Sequence, residues 1–217
     1  MDTISCKHRN TAFTIWDLLI VVVTLALLCL LLPMYPACGG KTARPRIGCA
    51  SNLKQIGLGL RVWSEDHGEK FPMAVSKNTG GSLEFAESGQ VFRHFLAISN
   101  ELSSPGVLTC PSEKTRKRAT NFAEFSNRNL SYFLGLDALE AQPQMLLSGD
   151  RNLSTNGRIM SGLLDLRNTT NIAWTDDIHR RCGNIGLGDG SAALATTSQL
   201  QQQASRTTNS PARIAIP

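Results

Sequence analysis

The 217-residue sequence predicts an α+β protein with four parts in order: an N-terminal transmembrane helix, a proline- and glycine-rich break, an amphipathic helix and a C-terminal antiparallel β-sheet. Three observations predict this fold. An almost wholly apolar run extends from Phe13 to Leu32, and a helical pattern of apolar residues follows it. After Asn129 the chain consists of short apolar runs separated by Gly, Asn and Asp. These patterns are typical of a membrane helix, of a helix with one buried face, and of short antiparallel strands.

The first apolar run has the length of a membrane span. In a helix it would cover about 30 Å at about 1.5 Å per residue, which is the thickness of a bilayer core. A polar leader with basic residues, 1–12, precedes it and resembles a secretory n-region. Basic residues also follow the run, so the charge pattern does not decide the orientation. Two other uses of the run, signal-peptidase cleavage after Ala37 and lipid attachment at Cys38, would both need a small residue where Tyr35 stands.

Asp17 lies inside this apolar run. A carboxylate at membrane depth is costly unless it has a partner, so we expect a functional contact for it. The alternative is a plain anchor in which Asp17 lies near the interface and is hydrated.

A break and a second helix follow. The segment Pro33–Gly48 contains three prolines and three glycines, which predicts an interrupted helix. The next helix is expected from about Ile47 to Asp66, where apolar residues recur at steps of three and four and form one face. The predicted organisation is a leader (1–12), a transmembrane helix (13–32), a linker (33–46), a C-terminal domain (47–204) and a tail (205–217) that could include a late edge strand.

The stretch "AFTIWDLLIVVVTLALL", which begins at Ala12, resembles the N-terminus of type IV prepilins and type II secretion pseudopilins. The resemblance implies that a prepilin peptidase cuts between Ala12 and Phe13 and that the new Phe13 amine is methylated. Asp17 would then be fifth in the mature chain and would pair with the N-terminal amine of a neighbouring subunit. Ala12 and Asp17 stand where the family usually has Gly and Glu.

Two further stretches resemble a subgroup of large bacterial pseudopilin-like proteins. One is "CASNLKQIGL" followed by "EDHGEKFP", and the other is His179 followed after nine residues by Asp189-Gly190. The resemblance covers most of the chain and implies a pilin-like fold and a structural, non-enzymatic role in a type II secretion or type IV pilus-type system. It also implies a single-pass protein of the bacterial inner membrane, with a periplasmic C-terminal domain and other pilin or pseudopilin subunits as partners. Cys49 and Cys110 match cysteines of the subgroup, which implies a disulfide between them.

The residues around Asp189 also have a purely structural interpretation. Ile185–Leu187 is expected to be a strand, Asp189-Gly190 a tight turn, and Ala192–Ala195 the return strand of a hairpin. We favour this interpretation over a catalytic use of the motif, and we expect His179 to pin the preceding segment.

Other chemistries have little support. The net charge of +5 is mild and no zinc-finger spacing accompanies it, so no nucleic-acid partner is expected. The sequence contains no nucleophile elbow, no zinc-ligand pair on one helix and no phosphate-binding glycine loop, so no catalytic residue, metal or cofactor is predicted. A calcium site remains open as an alternative, built from carboxylates of the C-terminal region: Asp150, Asp176, Asp177 and Asp189.

A second function stays open beside the pilin-like one. A membrane-anchored periplasmic domain with a borrowed prepilin leader could bind or process carbohydrate. Its cleft would be lined by Asp176, Asp177, His179 and Asp189.

Overall fold

The computed structural model describes residues 14–31, 43–207 and 212–217 of the chain. It divides into one compact unit, Met1–Ala37, and a second, Cys38–Pro217. The described part of the first unit is helix α1 (Ile15–Leu31). The described part of the second unit contains α2 (Ala43–Glu65), α3 (Phe92–Leu96), α4 (Thr197–Thr207) and nine strands.

The predicted transmembrane helix over 13–32 is wrong, and the single-pass inner-membrane localisation that depended on it is wrong with it. Among the residues that the structure describes, no helix combines the length and the apolar character that crossing a membrane requires. Helix α1 has 17 residues. At about 1.5 Å per residue it covers about 25 Å, less than the roughly 30 Å of a hydrocarbon core.

Helix α2 has the buried face that its sequence predicts. Its apolar residues at steps of three and four are at most 5% exposed: Cys49, Leu53, Ile56, Leu60 and Trp63. The helix begins at Ala43, four residues before the predicted start, and ends at Glu65. Gly68 follows with a φ of +66°, the left-handed conformation that favours glycine after a helix.

Six strands form an antiparallel sheet in the order β5-β9-β1-β2-β7-β8, and three form a smaller sheet in the order β4-β3-β6. The strands are β1 (Tyr132–Gly135), β2 (Leu146–Asp150), β3 (Leu153–Thr155), β4 (Arg158–Ile159), β5 (Gly162–Asp165), β6 (Ile172–Trp174), β7 (Cys182–Leu187), β8 (Ala192–Thr196) and β9 (Arg213–Ile216). The α+β class and the antiparallel sheet therefore agree with the sequence-based expectation.

The larger sheet is covered on both faces. Side chains of a strand alternate between faces, and in β1 Tyr132 and Leu134 belong to the core cluster that contains the buried face of α2. Phe133 points the other way, into a second cluster with Trp174 of β6 and Leu200 of α4. Helix α2 thus lies on one face, and α4 with the smaller sheet lies on the other.

The C-terminal residues differ from the predicted tail. Strand β9 lies between β5 and β1, in the interior of the sheet rather than at its edge. Arg213 fixes its start, because the Arg213 N–H donates to Asp137 Oδ2 at 2.8 Å and its guanidinium donates to Asp137 Oδ1 at 2.6 Å. Ile214, Ala215 and Ile216 are buried. A four-residue strand that is buried on both faces has no alternating pattern by which the sequence could reveal it.

Candidate functional site

The disulfide that the resemblance implied is present between Cys49 and Cys110, with an S–S distance of 2.06 Å. Cys49 lies in α2, and Cys110 follows a short 3-10 turn, Pro105–Leu108. The two side chains are 0% and 2% exposed. Asn52, one turn further along α2, donates to Thr109 O at 3.2 Å and to Tyr132 Oη at 3.1 Å. The helix therefore holds the segment before Cys110 by a covalent bond and by hydrogen bonds. Cys182 is also disulfide-bonded.

A histidine and a carboxylate lie against this disulfide. His179 is 2% exposed in the connection between β6 and β7, and Asp150 is 0% exposed at the end of β2. His179 Nε2 is 3.4 Å from Cys110 Sγ and 3.4 Å from Asp150 Oδ2. One ligand atom from each of Cys49, Cys110, Asp150 and His179 lies within 4.8 Å of all the others. We refer to these four residues as the buried cluster.

Asp150 has one satisfied and one unsatisfied oxygen. The Asn184 backbone N–H and side-chain amide donate to Oδ2 at 2.6 and 2.9 Å. Oδ1 is buried and has no hydrogen-bond partner in the described part of the chain. Burial raises the pKa of Asp150 to about 7, although the Asn184 hydrogen bonds oppose this shift. Burial also raises the pKa of Tyr132, and the neighbouring Asp150 raises it further. A cation in the cluster would relieve the cost of this buried carboxylate.

An ion-pair network borders the buried cluster. Arg151, the residue after Asp150, lies 3.0 Å from Glu113 Oε2 and 3.0 Å from Asp177 Oδ2. The Glu113 side chain is only 2% exposed, and Thr115 Oγ1 also donates to it at 2.8 Å. Burial alone would raise the pKa of Glu113, but the hydrogen bonds from Arg151 and Thr115 lower it to about 2. The network fixes the loop after Cys110 to the end of β2.

The buried cluster could hold a metal ion. Within the described residues it is the single group of three or more His, Cys, Asp and Glu side chains with this geometry. The four aspartates considered for calcium do not come together: Asp177 pairs with Arg151, and Asp176 pairs with Arg181 at 3.1 Å. Asp189 accepts from the Ser191 N–H at 2.8 Å, so only Asp150 belongs to the cluster.

The members of the His179–Asp189–Gly190 motif have separate places in the fold. Asp189 and Gly190 form the predicted turn between β7 and β8, with a Gly190 φ of +80° and a 2.9 Å hydrogen bond from its N–H to Leu187 O. Arg61 of α2 donates to Asp189 O at 2.9 Å. His179 lies in the buried cluster instead, which does not include Asp189.

The hairpin turn approaches α2 closely at Gly57, where an added side chain would make a tight contact with the turn backbone. A Cβ at Gly57 would lie 3.0 Å from Gly190 Cα, whereas a Cβ at Gly59 would meet chiefly the movable end of Leu102, at 3.2 Å. Alanine improves helix propensity equally at both positions. We expect Gly57→Ala to be less stable than Gly59→Ala by about 1–2 kcal/mol, because overpacking against backbone cannot relax easily. Urea unfolding of both variants measures the difference, and equal stabilities would show that the helix and the hairpin are not in tight contact.

Asp17 has a local role at the start of α1. The Thr14 N–H and hydroxyl donate to Asp17 Oδ2 at 2.9 and 2.8 Å, and the Asp17 N–H lies 3.4 Å from Thr14 Oγ1. This reciprocal arrangement resembles a capping box. The backbone and side-chain hydrogen bonds from Thr14 lower the pKa of Asp17, so it carries a negative charge at neutral pH. The predicted cleavage site, Ala12 and Phe13, lies outside the described residues.

The buried cluster was missed at the level of sequence, because its members come from four separate stretches of the chain. The resemblance alone indicated the pair Cys49 and Cys110, and the motif that includes Asp189-Gly190 indicated His179. No sequence pattern placed Asp150 beside the cysteine pair or beside His179.

Comparisons of the chain with protein-family models, with curated proteins and with solved structures find no match.

Proposed function

We propose that the protein is a pilin-like structural subunit that assembles with further copies of itself through α1 and performs no catalytic step. The supporting observation is the exposure of this helix. Eleven large apolar side chains between Ile15 and Leu28 are 45% to 81% exposed. Soluble monomers rarely expose contiguous apolar patches above a few hundred Å².

The composition of α1 favours the α1 helices of other copies of this chain as its partners. Its apolar side chains lie on every face, so one neighbour could cover only part of the surface, whereas a bundle of copies would cover most of it. Asp17 is the sole charged residue of the helix. Its carboxylate would pair with a cationic group at the N-terminus of a neighbour, and the Phe13 amine released by prepilin-type cleavage would supply that group. The resemblance to prepilins supports the same arrangement.

The second unit, which contains the disulfide, would take no part in this helix contact. The disulfide, the Glu113–Arg151 pair and the Asp137–Arg213 pair give it cross-links that do not depend on the assembly. A cross-linked domain of this kind suits a structural subunit, because its own fold would not have to change on assembly.

Val22→Asp tests the proposal. A carboxylate in the middle of α1 would have to be desolvated on assembly, so we expect association to weaken at least tenfold. Sedimentation velocity of the full chain over a range of concentrations measures this change. Ile159→Asp is the matched control: Ile159 is an exposed apolar residue of β4, 76% exposed, and its substitution should leave association unchanged.

Two results would refute this account. One is a wild-type chain that remains monomeric at every concentration. The other is an equal effect of Val22→Asp and Ile159→Asp.

A further inference from the structure

We propose that reduction of the Cys49–Cys110 disulfide by a dithiol opens a four-ligand Zn²⁺ site formed by Cys49, Cys110, Asp150 and His179. This inference goes beyond the proposed function and does not depend on assembly through α1. It rests on the geometry of the buried cluster.

The distances suit a tetrahedral ion after a small movement. With Zn–S bonds of about 2.3 Å and Zn–N or Zn–O bonds of about 2.0–2.1 Å, neighbouring ligand atoms lie roughly 3.3–3.8 Å apart. The four ligand atoms of the cluster already lie within 4.8 Å of one another, and His179 Nε2 is 3.4 Å from both Cys110 Sγ and Asp150 Oδ2. The sulfurs are bonded to each other in the disulfide. Only the reduced pair can therefore provide two thiolate ligands.

The reaction balances with a dithiol as reductant. The dithiol supplies two electrons and two protons, the S–S bond breaks, and Cys49 and Cys110 become thiols while the dithiol closes to its own disulfide. Zn²⁺ then displaces both thiol protons, which pass to solvent, and two Zn–S bonds form. Oxidation of the two thiolates by a small-molecule disulfide forms the Cys49–Cys110 bond again and releases the ion.

The donor set selects zinc rather than calcium. Two thiolates and an imidazole are soft or intermediate ligands, whereas calcium takes six to eight oxygen atoms. A single carboxylate completes the tetrahedron. Two thiolates, one carboxylate and Zn²⁺ carry a net charge of about −1. The next residue after Asp150 is Arg151, whose guanidinium is positively charged.

Asp150 provides a second, independent indication of a ligand. It is fully buried, and its Oδ1 has no hydrogen-bond partner among the described residues. Its other oxygen is held by the Asn184 N–H and side-chain amide. This is the support that metal-binding carboxylates commonly receive from surrounding residues. A cation bound by this carboxylate would compensate for the burial of a charged group that is only partly hydrogen-bonded.

The four ligands also come from four different parts of the fold: α2, the loop after the 3-10 turn, the end of β2 and the β6–β7 connection. A bound ion would therefore replace the covalent cross-link that reduction removes. The second unit would keep one of two cross-links, a disulfide under oxidising conditions or a zinc ion under reducing conditions.

The test uses the full chain, reduced with dithiothreitol, desalted without oxygen and incubated with Zn²⁺. We expect about one zinc per reduced chain after gel filtration and at least tenfold less in the oxidised chain, measured by inductively coupled plasma mass spectrometry. Zinc should also slow alkylation of Cys49 and Cys110 at least tenfold, as mapped by peptide mass. His179→Gln should lose both effects, whereas His94→Gln should keep them, since His94 is an equally buried histidine that hydrogen-bonds to Ser82.

Cys182 needs its own control because reduction also opens its disulfide. Cys182→Ser should bind zinc as the wild type does. The proposal is overturned if the reduced chain, folded or unfolded, takes up no zinc. It is also overturned if His179→Gln retains the zinc, or if zinc is lost in Cys182→Ser and kept in Cys49→Ser. Circular dichroism of the oxidised variants, in which the disulfide is intact, checks that each substitution leaves the fold in place.

Discussion

Replacing Cys49 and Cys110 together by alanine is expected to lower the free energy of unfolding by about 4 kcal/mol. The two residues are 61 positions apart, so the disulfide closes a long loop in the unfolded chain. In the chain-entropy account, a loop of this length loses conformational freedom equivalent to about 4 kcal/mol. The substituted side chains are small and remain buried, so little packing is lost besides the cross-link.

Urea unfolding without reductant and without added metal measures the loss, because the wild type then keeps its disulfide. Ser51→Ala with Ser112→Ala is the matched control, since it alters two small side chains of the same segments and leaves the disulfide intact. We expect this control to stay within about 0.5 kcal/mol of the wild type. A loss below about 1 kcal/mol in the cysteine variant would contradict the role given to the disulfide.

Arg151→Met is expected to cost about 3–5 kcal/mol, since removing one member of a buried ion pair leaves the other charge buried without its cationic partner. Glu113 is the charge left behind, and its side chain is 2% exposed. Methionine keeps much of the length and apolar surface of the arginine stem, so the loss reports chiefly on the charge. The same change in an exposed pair, Arg181→Met opposite Asp176, should cost about 0–1 kcal/mol, because those side chains are 79% and 65% exposed.

The pH dependence gives this prediction a second test. The pKa of Glu113 is about 2 in the folded chain and 4.5 in its unperturbed state. A lowered carboxyl pKa stabilises the fold fully above the unperturbed value, and the contribution disappears as the pH falls through the folded value. The difference between wild type and Arg151→Met should therefore be largest above about pH 5 and shrink towards pH 2. Equal costs for Arg151→Met and Arg181→Met, or a difference that grows in acid, would contradict the assignment.

The sequence predicts those parts of the fold that are determined by a pattern of residues close together in the chain. The apolar spacing of Leu53, Ile56, Leu60 and Trp63 predicts the buried face of α2, because a helix repeats over several turns. The Asp189-Gly190 turn is equally local, since Gly190 supplies the positive φ that the hairpin requires.

Other parts depend on contacts that no local pattern encodes. Strands β3, β4 and β5 have two to four residues, too few to show an alternating pattern. Strand β9 is defined by its neighbours β1 and β5 and by the distant Asp137. The buried cluster joins positions 49, 110, 150 and 179, whose chemistry becomes visible only when α2 packs on the sheet. The transmembrane prediction over 13–32 was wrong because apolar character alone does not establish a helix that could cross a membrane.

The central claim, that α1 joins copies of this chain, is tested most directly by photo-cross-linking. A benzophenone amino acid at Val22 would lie within the proposed interface, and the same group at Ile159 would lie on the exposed surface of the second unit. The account predicts covalent dimers and higher species from position 22, joined to peptides from residues 15–28 of a second copy, with no comparable product from position 159. Monomers alone, or cross-links from position 22 that fall mainly on the second unit, would contradict it.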